Sequence, residues 1–219
     1  MNFLTVGTFD GLHLGHQFVL ENLRVLAKAH AMASKVLYFS FPPKAALSGN
    51  LNECALTLPS EREALIRAAG IDKVAALDFA QIHGMEHGRF FRELVKTHEM
   101  GGLVVGSDFA FGRDRLGHID FLKAECAKLG IPLRVITFVK SEGHKISSSE
   151  IRKLIVSGRV DKAGILMGRP FSVSGLVCEG DKVARKLGYP TANLEVDFRK
   201  ALPRGVFAVR ARLGAENLR

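Results

Sequence analysis

The sequence lacks the features that mark membrane, secreted and repetitive proteins. No apolar run approaches the roughly 18 to 20 residues that a membrane-spanning helix needs. The N-terminus carries Asp10, His13 and His16, where a secretory signal peptide would be apolar. Low-complexity tracts and internal repeats are also missing. We therefore expect a cytoplasmic protein that has no membrane partner.

Cysteine is scarce, and Cys54, Cys126 and Cys178 lie far apart in the chain. An odd number at this spacing fits neither a disulfide framework nor the close-set pairs of a zinc site. His13 and His16 could supply two zinc ligands, but two ligands without a further partner at suitable spacing make a poor site. We expect reduced thiols and assign no metal ligand.

The sequence also has no run of five or more basic residues, although its formal net charge is +9. The excess is spread, because residues 1–167 hold 21 Lys and Arg against 17 Asp and Glu, and residues 168–219 hold 10 against 5. Aromatic residues are not interleaved with these charges as in a nucleic-acid stacking platform. A diffuse positive field suits anionic small molecules equally well, so we expect no nucleic-acid partner.

Between residues 3 and 167, short β-type runs alternate with helical ones. This alternation predicts an α/β domain with a parallel sheet covered by helices on both faces. The predicted strands are Phe3–Val6, Val36–Phe41, Val74–Leu77, Leu103–Val105 and Leu133–Phe138. Helical spacing of apolar residues predicts two of the helices, one through Val19, Leu20, Leu23, Leu26 and Ala27 and one through Ile119, Leu122, Cys126 and Leu129.

Local signals predict where several helices begin and end. Ser60 followed by Glu63 is typical of a capping box at a helix start. Gly70 and Gly130 stand where helix C-caps are expected, and Pro132 follows the second of them.

The composition changes after Met167 to Gly, Pro and β-branched residues. Phe171 and Val173 alternate with Ser, and Val209, Ala211 and Leu213 alternate with Arg. This pattern predicts an antiparallel β module over residues 168–219, with too few strands to close a barrel.

The strongest chemical signal is the loop between the first predicted strand and the first predicted helix, which is where doubly wound sheets bind ligands. Glycines let the backbone approach a polyphosphate, and the helix that follows presents free N–H groups to it. The candidate phosphate-binding residues of this loop are Gly7, Thr8, Phe9, Asp10, His13, Gly15 and His16. The spacing excludes the dinucleotide fingerprint, and the chain has no Gly-Lys-Ser/Thr segment of a P-loop.

A His-x-x-His pair that occurs alone is more often a pair of surface residues than part of a catalytic or binding site. Here a second motif accompanies it, running from Lys145 to Arg152. Ser147 and Glu150 form a second predicted capping box, with Ile151, Leu154 and Ile155 on the buried helix face. The hydroxyls of Ser147, Ser148 and Ser149, the free amides and Arg152 would together also bind phosphate.

These two motifs make the chain resemble the prokaryotic bifunctional riboflavin kinase and FMN adenylyltransferase (FAD synthetase) family. His13, Gly15 and His16 match the His-x-Gly-His loop of the nucleotidyltransferase superfamily, and Ile146, Ser147, Ser148 and Arg152 match its Ile-Ser-Ser-Thr-x-x-Arg segment. Ser149 replaces the usual Thr and Lys145 a common Arg. The resemblance implies a Rossmann-like nucleotidyltransferase domain over residues 1–167.

Two further segments are similar to flavin-specific parts of that family. Residues 105–112 resemble the Val-Gly-x-Asp/Asn-Phe-x-Phe-Gly loop, which implies nucleotide and flavin contacts for Gly106, Asp108, Phe109 and Phe111. Core packing is the alternative for one of the two phenylalanines. Residues 38–43 resemble a Thr-Phe-x-Pro-x-Pro stretch in which the second proline, Pro43, lies one residue closer.

The tail resembles the opening of the riboflavin kinase domain. Its Gly-Tyr-Pro-Thr-Ala-Asn segment implies a remnant of the kinase ATP site at Thr191 and Asn193, and Ala184 replaces a frequent Gly before it. The later kinase elements, including the Asn-x-Gly-x-x-Pro segment and the catalytic Glu, are missing from the 219 residues. We therefore predict no riboflavin kinase activity from this chain.

The resemblance implies that FMN attacks the α-phosphorus of ATP and forms FAD and pyrophosphate, with Mg²⁺ as cofactor. His13, His16 and Arg152 are then the catalytic candidates, and ATP, FMN and riboflavin the candidate small-molecule ligands. Three alternatives remain open: a nucleotidyltransferase for another phosphorylated acceptor, a flavin- or nucleotide-binding fragment without turnover, and a nucleic-acid-binding protein supported by the net charge alone.

Overall fold

The computed structural model describes residues 1–137, 140–141, 144–180, 188–189, 191–214 and 216–218. Five parallel strands form its main sheet in the order β3-β2-β1-β4-β5. The strands are β1 (Asn2–Gly7), β2 (Ala33–Phe39), β3 (Lys73–Leu77), β4 (Met100–Gly106) and β5 (Leu133–Ile136). The helices are α1 (Leu14–Ala29), α2 (Pro43–Ser48), α3 (Pro59–Ala68), α4 (Phe79–Ile82), α5 (His87–Lys96), α6 (Ile119–Leu129), α7 (Ser148–Val156) and α8 (Val160–Met167).

The predicted α/β architecture is confirmed, with an apolar layer on each face of the parallel sheet. Alternation along β1 sends Leu4 and Val6 to one layer and Phe3 to the other. Helices α5 and α6 cover the first layer, and α1 and α3 cover the second. Both layers are needed because a parallel sheet is apolar on its two faces.

Two predicted boundaries are wrong because other local signals set them. Strand β2 ends at Phe39 rather than Phe41, because Pro42 precedes a new helix, α2. Helix α3 begins after Leu58, whose N–H donates to Glu61 Oε2 at 2.9 Å, so the Ser60–Glu63 capping box is wrong.

Other predicted ends need smaller changes. Leu129 at the end of α6 is 55% exposed, so it lies off the buried face that Leu122 and Cys126 form. Gly130 does end that helix, with φ of 64°. The predicted end of the fifth strand, Phe138, lies outside the described residues.

The segment after α8 contains antiparallel strand pairs, as predicted, and Ala211 and Leu213 lie in one of them, but the other predicted strand residues do not. Short strands β8 (Leu176–Cys178) and β9 (Asn193–Glu195) pair, as do β10 (Ala211–Leu213) and β11 (Glu216–Leu218). The remaining short pair is β6 (Lys140–Ser141) with β7 (His144–Lys145). Phe171, Val173 and Val209 lie outside these strands, and Phe171 packs instead on the cluster formed by α7 and α8.

Part of the tail returns to the main domain. Ala201 is fully buried, its N–H donates to Ala55 O at 2.7 Å, and Ala55 N–H donates to Arg199 O at 2.9 Å. Lys200 is 1% exposed and donates to Glu61 Oε2 at 2.5 Å. Residues 199–201 of the tail therefore hold residues 53–58 in place, and residues 53–58 in turn contact the loop after β1.

Candidate active site

A cavity of about 390 Å³ opens at the carboxyl end of the parallel sheet. It lies between β1 and β4, where the order of the strands reverses, and this crevice is the usual ligand site of open α/β sheets. The predicted site residues that line it are Gly7, Thr8, Phe9, His13, Gly15, His16, Gly106, Asp108, Phe109, Ser147 and Ser148. Three segments far apart in sequence thus meet at one cavity.

The loop after β1 has an unusual backbone. Phe9 and Leu12 adopt left-handed φ values of 51° and 37°, and Gly11 has a φ of 76°. Both non-glycine side chains are buried, and their packing holds a conformation that is costly for L-residues. Gly7 leaves room for the Phe9 ring, because a Cβ there would lie 3.1 Å from it.

His13 and His16 form a stacked pair at the start of α1. Their ring centroids are 3.6 Å apart, with 16° between the ring planes. His13 Nδ1 accepts a hydrogen bond from His16 N–H at 3.3 Å and so caps the helix. This bond leaves the His13 proton on Nε2 when the ring is neutral. Gly15 permits the arrangement, since a Cβ there would lie 3.2 Å from the His13 ring.

His16 is held neutral. Burial lowers the pKa of its imidazole well below the usual value, and electrostatic interactions with His13, Arg62 and Arg169 lower it further. A neutral ring donates one hydrogen bond and carries no charge that would have to be desolvated. Its Nδ1 is buried, and no described residue is its hydrogen-bond partner.

Asp10 anchors the loop from behind the cavity. Its carboxylate is 1% exposed and accepts from the N–H groups of Leu56 and Thr57, both at 2.9 Å. It also accepts from Arg62 Nη2 at 3.1 Å and from Arg152 Nη2 at 2.8 Å. Protein donors occupy the acceptors of Asp10, so its carboxylate fixes the loop, and Asp10 is not among the residues that line the cavity.

Helix α7 brings the second motif against this loop. Ser147 caps the helix by accepting from Glu150 N–H at 3.3 Å, which confirms the N-cap half of the predicted capping box. Ser148 Oγ donates to Asp10 O at 2.9 Å. Arg152 lies beside Asp10 and Ser149 is exposed, and neither is in the cavity lining. The Lys145 side chain lies outside the described residues.

The loop after β4 separates its two phenylalanines. Phe109 lines the cavity, whereas Phe111 is 7% exposed and packs in the core against Phe90 and Phe121. The two rings stack with centroids 5.4 Å apart. One phenylalanine is thus a core residue, the alternative that the sequence left open.

Comparison with known proteins agrees with this geometry. The family model described as FAD synthetase matches residues 1–150, and the one described as riboflavin kinase matches residues 167–219. The chain belongs to the FAD synthetase family.

Relatives in this family are longer than the chain. A bifunctional riboflavin kinase/FMN adenylyltransferase of Pseudomonas fluorescens is 35% identical over 94% of the chain and 66% of its own length. The relative of that name in Haemophilus influenzae is 31% identical over 96% and 69%. A crystal structure described as a macrolide-efflux protein from Streptococcus pneumoniae superposes with a TM-score of 0.82 and 32% identity over 92% of this chain and 66% of that one. The chain thus spans about two thirds of the length of these relatives.

The kinase-like positions of this FAD synthetase family chain lie apart from the cavity lining. Thr191 is exposed, and Asn193 is exposed in β9, where it pairs with Cys178. Pro190 and Ala184 of the same segment lie outside the described residues. Within the described ranges, no helix is long and apolar enough to cross a membrane.

Three arginines at the site were missed by sequence reasoning. Arg62 is fully buried on α3, and Arg115 lines the cavity. Arg169 donates to the carbonyls of Gly11 at 2.7 Å and Leu12 at 3.0 Å, just before the histidine pair. The one available signal was Arg62 four residues before the buried Ile66, which puts both on one helix face.

The neutral state of His16 predicts a pH-dependent stability. Because its folded pKa lies below its unfolded value, the unfolded chain binds the proton more strongly, and stability falls as pH drops below about 6.5. At about pH 5.5, protonation of His16 in the unfolded chain lowers the free energy of unfolding by up to about 1.4 kcal/mol. Urea denaturation at about pH 7.5 and 5.5 measures how much stability each protein loses on acidification. We expect His16→Gln to lose less than the original chain, by about this amount. An unchanged loss in the variant would show that His16 is not the group responsible.

Proposed function

We propose that the chain transfers the adenylyl group of ATP to FMN, giving FAD and pyrophosphate. The observation that carries the proposal is the stacked His13–His16 pair at the start of α1, inside a cavity that also contains Phe109 and the start of α7. We assign adenylyl transfer to residues 1–167 and a partial riboflavin kinase-like β module to residues 168–219.

In the proposed reaction, a phosphate oxygen of FMN attacks the α-phosphorus of ATP. The bond from this phosphorus to the bridging oxygen breaks, and pyrophosphate leaves with the electron pair. No general base is needed, since a phosphate monoester with a second pKa near about 6 is already ionised at neutral pH. The protein's contribution is then to position the two phosphates and to stabilise the charge that develops on them.

We assign these contributions to the ends of two helices. The free N–H groups of α1 and α7 and the donors of His13, His16 and Ser147 would bind the phosphates of ATP. Arg152 donates one hydrogen bond to Asp10 from Nη2, while its Nε is buried and unpaired within the described residues. A guanidinium has five N–H donors, so we propose that the remaining ones of Arg152 bind the triphosphate, with Ser148 and Ser149 beside it.

Phe109 and Phe39, which line the cavity, would contact the flavin ring, with Gly106 leaving space beside Asp108. Mg²⁺ is proposed to arrive with ATP. Magnesium in nucleotide sites is held by phosphates and only one or two carboxylates, and the described cavity lining contains one carboxylate, that of Asp108. When bound, the ion would neutralise charge on the phosphates.

The test is to incubate the chain with Mg-ATP and either FMN or riboflavin, then to separate the flavins by chromatography and measure pyrophosphate. We expect FAD and equal pyrophosphate from FMN, and no FMN from riboflavin. Glyceryl or pantetheine phosphates in parallel reactions test other acceptors. Binding of FMN and ATP without pyrophosphate release would overturn the proposal in favour of a binding protein.

A further inference from the structure

The loop from Gly112 to Leu116 has a rigid base. An antiparallel bridge closes it, in which Phe111 and Gly117 exchange backbone hydrogen bonds of 3.0 and 2.9 Å. Arg113 fixes one side, because its N–H donates to Met85 O at 2.7 Å and its Nε to Gly84 O at 3.0 Å. The tip of the loop is therefore held in place relative to α5 and β4.

The tip itself is strained. Asp114 and Arg115 both adopt left-handed φ values, 54° and 58°, and both are exposed. A left-handed φ is unfavourable for an L-residue, and burial of these side chains does not offset that cost as it does for Phe9 and Leu12. Strain of this kind tends to occur where a side chain must be presented to a ligand.

Arg115 lines the cavity and is exposed. Within the part of the chain that the structure describes, no acceptor bonds its guanidinium. Arg62, Arg152 and Arg169 differ in this respect, since each donates to oxygen atoms of the loop after β1 or its neighbours. Arg115 is thus a cation at the cavity whose hydrogen-bonding groups are available to a ligand.

The side of the cavity on which Arg115 lies indicates which ligand it binds. The proposed reaction brings together two anions, the triphosphate of ATP and the phosphate of FMN. His13, His16 and Ser147 come from the starts of α1 and α7, whereas Arg115 belongs to the same loop as Phe109. The planar fork of an arginine matches two oxygens of one phosphate.

We propose that Arg115 binds the phosphate of the flavin substrate and so makes the site select FMN over riboflavin. This inference rests on the proposed function, because it assumes that FMN is the acceptor. Arg115 then has two effects. It holds the attacking phosphate in place, and it raises the affinity of the cavity for FMN without raising that for riboflavin, which lacks the phosphate.

The experiment compares the binding of FMN, riboflavin and ATP, each alone, by flavin fluorescence quenching and calorimetry. Arg115→Gly removes the side chain and also relieves the positive φ, so failure to fold is not the expected reason for a loss. We expect its Kd for FMN to rise about 10- to 100-fold, with the Kd for riboflavin and ATP within twofold of the original chain. Arg115→Lys should restore part of the FMN affinity, because it keeps the charge but not the fork.

Arg89→Ala is the matched control. Arg89 is an exposed arginine on α5 outside the cavity lining, and its removal lowers the net charge equally. We expect its FMN affinity to stay within twofold. Equal losses for FMN and riboflavin in Arg115→Gly, a loss for ATP, or no loss would each overturn the inference.

The readouts also separate this inference from the proposed function. A chain that prefers FMN through Arg115 but forms no FAD would contradict the proposed function alone. A chain that forms FAD but binds FMN no more tightly than riboflavin would contradict the inference alone.

Discussion

We expect His16→Ala to lower kcat for FAD formation by about 10²- to 10³-fold while the chain stays folded. The neutral His16 ring stacks on His13 and lines the cavity at the start of α1. In the proposed reaction, its single donor stabilises charge that appears on the phosphates only as the transition state forms. Loss of one such donor costs about 2.7 to 4 kcal/mol in comparable sites, which gives the expected factor.

Steady-state kinetics with FMN and Mg-ATP measure this effect. His16→Gln keeps an N–H donor and should therefore retain more of the rate than His16→Ala. If the loss in His16→Ala came only from looser packing, restoring a donor would not recover the rate. His118→Ala is the matched control, because His118 is exposed and outside the cavity lining. Near-normal turnover in His16→Ala would contradict the role assigned to this histidine.

The second large effect is on stability. We expect Asp10→Asn to lower the free energy of unfolding by about 3 to 5 kcal/mol, as is typical when one member of a buried ion pair is removed. Arg62 has no exposed side-chain surface, so its charge would lose its buried counterion. The new amide would also place its NH₂ group among the donors of Leu56, Thr57 and Arg152.

Urea denaturation at neutral pH measures the loss. Glu63→Gln is the control, since it breaks the exposed Glu63–Arg67 pair, for which we expect at most about 1 kcal/mol. A loss below about 1 kcal/mol in Asp10→Asn would mean that the buried carboxylate is not what holds the loop. Because Asp10 fixes the loop that carries His13, residual folded protein should also turn over more slowly.

Local patterns in the sequence were sufficient for the architecture. The alternation of β-type and helical runs predicted five parallel strands covered on both faces, and Ser147 identified the start of α7. These features are encoded by neighbours within a few residues, which is the range over which periodicity and capping act. The Gly- and His-containing loop was recognisable for the same reason, as its signal is contiguous.

Arg62 and Arg169 were not recognisable because their partners lie far away in the chain. Arg62 meets Asp10 across 52 residues, and Arg169 meets Gly11 across 158. In α3, the spacing from Ile66 places Arg62 on the buried helix face, but it does not show which distant carboxylate the guanidinium meets.

The sequence by itself determined the alternation of strands and helices, the loop that carries the histidines and the family to which the chain belongs. Tertiary structure alone decided that Asp10 is a buried anchor, that Phe111 is core while Phe109 faces the cavity, and that Lys200 of the tail is buried against Glu61. The physical reason is that burial and ion pairing depend on which distant segments meet, whereas strands and helices are specified by residues close together in the chain.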